Sequence, residues 1–376
     1  MKLETELTAI DRDLIAAATE GFVPARVIDF HAHVVHPNFY AAEFISPALR
    51  GKIIDFSTYV AAIQQFLPQR SIDGALVFPY PTRRDDRPGV NRWMFADLKN
   101  AAKTHSVAGL ALVGPGDDQA LIAEWFAAGQ CVGLKPYHLF AKPGDTLQCG
   151  VEEYAPEWMW RLCDQHRGIL MLHLVKDAAA LHPDNQEALL RLAQKYPACQ
   201  VILAHAGRSF NHRNTRGLAA LAGLANIFVD TSAITEAESL KIALATLGPE
   251  RVFFGTDYPV CHFRGRCVTA GNSAQWIYAD DLGNPAMTLV GIESLLSLRR
   301  AAEDLSLTVA DIQRIFYGNA QTMLRFGAGR SCLLGRAGAR LIPLKDNAEP
   351  AGATLEHQII NSGGLRRGYD LREQMI

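Results

Sequence analysis

Between residues 26 and about 325, short apolar runs alternate with longer stretches in which apolar residues recur every three or four positions. Eight runs have strand length: 26–31, 74–78, 107–113, 132–136, 169–174, 201–205, 227–230 and 252–257. Most are rich in Val, Ile, Leu and Phe without polar alternation, as in parallel strands covered on both faces. Helical spacing marks 57–69, 91–104, 118–128, 156–165, 185–195, 215–225 and 235–247. After a long insertion, a last helix is predicted over 309–326, entered through a Ser-Leu-Thr cap at 306–308. Eight strand–helix repeats predict a (β/α)8 TIM-type barrel over 26–326, with a doubly wound open sheet as the competing arrangement. Two flanks lie outside it. Residues 1–25 hold one amphipathic stretch, 7–20, expected to cover the barrel floor. Residues 327–376 form a polar extension behind a Gly-rich joint, expected to be a surface wrap or a dimerisation arm.

Composition narrows the class of protein. With 37 basic and 39 acidic side chains in 376 residues, the formal charge of −2 gives no electrostatic footprint for nucleic acid. No apolar run approaches the roughly 18 residues of a spanning helix, so no membrane partner is expected. The start of the chain is acidic within six residues and has no apolar signal core. Seven irregularly spaced cysteines suggest reduced thiols, and the expected location is the cytoplasm.

The chemistry sits at the strand ends. The first strand ends Asp29-Phe30-His31-Ala32-His33, and a period of two puts His31 and His33 on one face with Asp29 at the same parity. The fourth ends at Lys135-Pro136, the fifth at Leu172-His173, the sixth at Ala204-His205 and the eighth at Thr256-Asp257. In a parallel barrel all C-terminal strand ends open onto one face, so these side chains converge. Neutral imidazoles with a carboxylate suit a divalent metal, Zn²⁺ first and Mn²⁺ or Fe²⁺ as further candidates. Such a metal acidifies a water and polarises a substrate oxygen. Arg208, three residues after His205, and Arg83 and Arg84, after the second strand, lie in loops of the same face and are candidates to clamp a substrate carboxylate. Tyr80, Tyr137 and His138 are placed to line the cleft.

These residues resemble the amidohydrolase superfamily, in particular the amidohydrolase-related branch that includes aminocarboxymuconate-semialdehyde decarboxylase and aromatic acid decarboxylases. The likeness rests on Asp29-Phe30-His31-Ala32-His33, Leu172-His173, Ala204-His205-Ala206-Gly207, Gly255-Thr256-Asp257-Tyr258-Pro259 and Tyr317-Gly318-Asn319-Ala320. It implies metal binding by His31, His33, His173 and Asp257, and a proton-transfer or polarising role for His205. Lys135 stands where binuclear members carry a carboxylated lysine. If it is modified, His173 and His205 hold a second metal; if not, one metal is bound and Lys135 is a cation for substrate. One metal per chain is favoured.

The expectation is a metal-dependent hydrolase of a small carboxylated or amide- or lactone-bearing substrate, with Asp257 and His205 catalytic. The alternatives are a metal-dependent non-oxidative decarboxylase on the same ligands, a dinuclear Fe/Mn oxygenase and a catalytically silent barrel subunit. A silent copy is expected to lack a ligand, and none is missing. A homodimer is expected from the C-terminal extension.

Overall fold

The computed structural model describes Leu3 and residues 6–328 apart from 143 and 285, with side chains to residue 324. Eight strands pair in parallel in chain order. They are β1 (Arg26–Val34), β2 (Ser71–Pro79), β3 (Ser106–Val113), β4 (Gly133–Pro136), β5 (Ile169–Leu172), β6 (Gln200–Leu203), β7 (Ile227–Asp230) and β8 (Val252–Phe253). The chain just after β8 closes the ring onto β1. The Phe30 and His33 amides donate to the Phe254 and Tyr258 carbonyls at 2.8 Å, and the Asp257 amide donates to the His31 carbonyl at 2.8 Å. An open sheet would leave β1 and β8 at opposite edges, so this is a (β/α)8 barrel.

Side chains facing inward form a core of their own. Ile28, Phe30, Leu76, Phe78, Leu110, Ile169, Met171, Ile202 and Phe253 pack together there, and Phe30 stacks on Phe253 at 4.3 Å. Outward residues such as Val27, Ala75, Ala111, Leu170 and Val201 pack against the helical layer. Capping aspartates start several helices of that layer: Asp55 before Phe56–Phe66, Asp86 before Arg87–Ala101 and Asp118 before Gln119–Ala127.

Three segments depart from the sequence reading. The floor of the barrel is covered by the helix Asn319–Ala328, whose Ala320, Met323 and Leu324 join the inner core. The N-terminal helix Ala9–Thr19 packs instead on the helix Val290–Asp304, tied by Asp11 to Arg264 at 2.6 and 3.0 Å. That second helix, inside the long insertion, is the eighth of the outer layer and was not read from sequence. Its buried Leu295, Leu298, Ala301 and Ala302 recur at helical spacing, so the signal was present within the insertion. After β6 the predicted helix is two short turns, His212–Thr215 and Leu218–Leu221. The arm expected over 327–376 lies almost wholly outside the described residues.

Candidate metal and catalytic centre

The strand ends do meet at one mouth, but strand periodicity alone does not aim them. In β1 the pairing with β2 shifts register between Asp29 and Ala32. Ile28 and Phe30 point inward before the shift, and Ala32 and Val34 pack outward after it. A bulge of this kind inserts a residue and flips the alternation. His31 and His33 therefore follow Phe30 into the barrel, while Asp29 faces out. The expected shared face of Asp29 with the histidines is corrected accordingly. Asp29 instead accepts hydrogen bonds from Tyr59 Oη (3.0 Å), the Thr256 amide (2.9 Å), Thr256 Oγ1 (2.5 Å) and the His31 amide (3.0 Å). It binds the end of β1 to the residue before Asp257.

His205 is re-aimed by another device. Ala204 belongs to the inner core, so continued strand geometry would turn His205 outward. The chain enters a left-handed turn instead, with φ of +55° at His205, +51° at Ala206, +76° at Gly207 and +57° at Arg208. Left-handed backbone costs about 1–2 kcal/mol for each residue with a side chain. Three contacts hold it: the His205 amide donates to Asp230 Oδ1 (3.0 Å), the Ser209 amide to the His205 carbonyl (2.9 Å), and Ser209 Oγ to the Ala206 carbonyl (2.5 Å).

The donor atoms then converge. Nε2 of His31 and Nε2 of His33 each lie 3.3 Å from the same Asp257 oxygen, Oδ1. Bonds of about 2.0–2.1 Å place neighbouring donors around tetrahedral zinc about 3.3–3.4 Å apart, so each histidine stands from Asp257 at the spacing of two ligands of one metal. All three residues are buried. The second Asp257 oxygen, Oδ2, makes no hydrogen bond among the described residues, nor does either ring nitrogen of His173. His173 is not part of that tight trio. Its ring lies 5.2 Å from that of His205 and 5.0 Å from that of Tyr137. These unpartnered buried donors fit a bound divalent cation.

A second cluster, His31, His205 and Asp230, also brings possible ligand atoms together. Its atoms are engaged with Ser232. Ser232 Oγ donates to Asp230 Oδ1 and lies 3.1 Å from His31 Nδ1 and 2.9 Å from His205 Nδ1. His31 Nδ1 also meets Asp230 Oδ2 at 2.9 Å, and His205 Nδ1 meets the Ser232 carbonyl at 3.0 Å. A carbonyl only accepts, so His205 carries its proton on Nδ1 and keeps Nε2 as a base. The Asp230 contact fixes His31 in the same way, the carboxylate–histidine pairing that orients metal ligands. Sequence reasoning missed Asp230 and Ser232. Asp230 ends an apolar strand at the inward parity, the signal used for the other strands.

Charge follows from this packing. Burial disfavours a charged His31, but Asp230 and Asp257 outweigh it and raise its pKa to about 9. Burial lowers His33 and His205 to about 4, and holds His173 well below the ordinary histidine range, assisted by His205 and His138. Burial would raise Asp257, yet His31 and His33 hold it far below the carboxylate range. His31 is thus charged between Asp230 and Asp257, while His33, His173 and His205 are neutral imidazoles beside the ionised Asp257.

Lys135 faces this cluster from β4. It is fully buried, and Nζ makes no hydrogen bond among the described residues. It sits 4.9 Å above the Phe78 ring and 5.7 Å from that of Tyr137, and burial lowers its pKa to about 8. Arg208 is close enough for its charge to act on His173, His138 and Tyr137. Arg83 acts on His138 as well, whereas Arg84 is exposed and lies over Phe44 at 5.2 Å. The loop that carries both is fastened by Arg87, which binds Asp85 (2.9 Å) and Asp117 (2.6 and 2.9 Å).

Known proteins share this fold. A sequence model of the amidohydrolase family matches residues 28–326. No curated protein sequence matches the chain. Among solved structures, an amidohydrolase from Burkholderia multivorans with bound zinc is 17% identical, with a TM-score of 0.50 over 80% of this chain and 99% of its own. The 2,6-dihydroxybenzoate decarboxylase from Rhizobium is 16% identical, with a TM-score of 0.51 over the same shares of the two chains. The 5-carboxyvanillate decarboxylase from Sphingomonas paucimobilis is 15% identical, with a TM-score of 0.52, again over 80% and 99%. At these identities the likeness is one of fold. The family match spans the barrel from its first strand to its floor helix, and the chain belongs to the amidohydrolase family of enzymes.

Proposed function

We propose that the enzyme is a single-metal hydrolase that adds water to an ester, lactone or amide carbonyl of a small, carboxylate-bearing substrate. The observation that carries this is Asp257, with one oxygen shared by His31 and His33 and the other buried without a partner. His31, His33 and Asp257 would hold the cation, with His173 beside them. When bound, it supplies Lewis acidity toward the carbonyl and brings the pKa of a water toward about 7. Asp257 Oδ2 accepts the proton of the attacking water. His205 Nε2, free of the Ser232 bond, takes or returns a proton at the leaving atom. Lys135 and Arg208 pair with the substrate carboxylate, and Phe78, Tyr80 and Tyr137 keep bulk water out.

Zinc is favoured by the nitrogen-rich donor set and by the zinc-bound Burkholderia neighbour, with manganese and iron as alternatives. One cation is favoured over two because His31, His33 and Asp257 already stand at ligand spacing, whereas His173 and His205, which would hold a second with Lys135, share no such cluster among the described residues. Decarboxylation is the second reading. Asp257 and His205 would then deliver a proton to the carbon that loses CO₂, and the two decarboxylase neighbours favour it. A homodimer is part of the proposal, and gel filtration of the full chain decides it.

The test is metal content of protein purified without added metal, followed by assays with lactone, amide and hydroxybenzoate substrates. About one zinc per chain, and a loss of roughly 10²–10⁴-fold in kcat for Asp257→Asn, are expected. CO₂ release without hydrolysis would replace the first reading by the second. Absence of metal after reconstitution, or unchanged turnover of Asp257→Asn, overturns both.

A further inference from the structure

The segment after Asp257, where the sequence shows no motif, folds as an antiparallel hairpin of β9 (Gly265–Ala270) and β10 (Ser273–Tyr278). It issues from the C-terminal end of β8, the mouth where the histidines lie. Loops after the neighbouring strands fasten it. Thr235 Oγ1, beyond β7, donates to the Cys267 carbonyl (2.9 Å) and accepts from the Cys267 amide (3.1 Å). Beyond β6, Asn211 Nδ2 donates to the Gly271 carbonyl (3.2 Å) and Arg213 to Asn272 Oδ1 (2.6 Å). The hairpin is therefore a fixed rim on the β6–β7 side.

Its inner face continues a row of rings. Trp276 and Tyr278 share one face of β10 and stack at 5.8 Å with an interplanar angle of 12°. Trp276 meets Phe210 edge-on at 5.3 Å, and Phe210 lies 5.5 Å from the His205 ring at a tilt of 32°. Phe210 and Tyr278 are buried, while Trp276 is only half-buried. The row thus runs from an accessible tryptophan at the rim to the proton-transfer histidine.

We infer that this row is the substrate-selecting wall, with Trp276 the specificity-determining residue for a planar, conjugated acid whose ring faces Trp276 and meets Phe210 edge-on. The inference rests on the reading above in assigning the carboxylate to Lys135 and Arg208. A flat π system gains ring–ring attraction from such a wall beyond the area it buries. A puckered saturated ring of the same size buries the area but loses that attraction.

The experiment is an NMR titration of zinc-reconstituted full-length protein with three probes: benzoate, cyclohexanecarboxylate and benzamide. Benzoate is expected to bind about 3- to 10-fold tighter than cyclohexanecarboxylate. Trp276→Leu should bring that ratio close to one with cyclohexanecarboxylate affinity little changed, and Trp276→Phe should retain most of it. Equal binding of the two acids by the wild type, or equal weakening of both in Trp276→Leu, overturns the wall. A preference for benzoate over benzamide with no dependence on Trp276 overturns the wall and leaves the carboxylate reading standing. Benzamide binding as tightly as benzoate, with the Trp276 dependence intact, supports the wall and removes the carboxylate assignment. No binding by any probe overturns both.

Discussion

Ser232 places one hydroxyl among three partners: Asp230 and the Nδ1 atoms of His31 and His205. Removing it would leave both rings in place but loosen their orientation. Ser232→Ala is expected to weaken metal affinity about 10- to 100-fold, the usual effect of losing a group that orients a ligand. Competition with a chromogenic chelator measures this, and an unchanged circular-dichroism spectrum separates it from misfolding. An affinity equal to wild type would show that Asp230 alone orients His31. Legibility of the site from sequence divides at the same residue scale. His31, His33, His173 and Asp257 end apolar runs, and that signal was read. Asp230 gives the same signal at the end of the run 227–230, which is predicted as a strand without its last residue being taken as part of the site. Ser232 gives none, because a serine two positions past a strand is ordinary until its neighbours are known.

Single elements carry strain and charge whose effects can be measured one at a time. The helix Glu157–Gln165 ends with Arg167 in left-handed backbone at φ +49°, its amide donating to the Asp164 carbonyl and the Gly168 amide to that of Cys163. Glycine is the residue that adopts this position without strain. Since Arg167 is exposed and far from the mouth, Arg167→Gly is expected to stabilise the protein by about 1 kcal/mol in urea unfolding without altering turnover. The N-terminal helix offers a test by pH. Burial would raise the Asp11 carboxyl, but Arg264 and Thr8 together hold it below its ordinary value. A carboxyl lowered in the folded state stabilises fully above its unfolded pKa of about 4, and the contribution is lost as pH falls through the folded value. The stability gap between wild type and Asp11→Asn should be full at pH 7 and narrow progressively below about pH 4. A gap that persists unchanged at pH 2 would mean that packing, not charge, anchors this helix. Elements were the easier part of the sequence: all eight strands stand where their apolar runs do. Facing was harder, because a bulge in β1 and a left-handed turn after β6 each reverse the parity that alternation predicts.

At the scale of the whole molecule, a ligand that binds only the closed ring stabilises it by mass action. A cation at 100 times its dissociation constant should add about 2.7 kcal/mol, so the melting temperature should rise with zinc and fall with chelator. His33→Ala should abolish that dependence, and a melting temperature indifferent to metal in the wild type would count against the centre. The same closure has a consequence in time. Asp29 and Thr256, joined across the seam, are 227 positions apart in the chain. Chain synthesis at about 5–20 residues per second leaves roughly 10–45 seconds between the appearance of the first histidines and that of the carboxylate that completes the trio. If the trio holds a metal, its full set of donors therefore exists only once the barrel is complete.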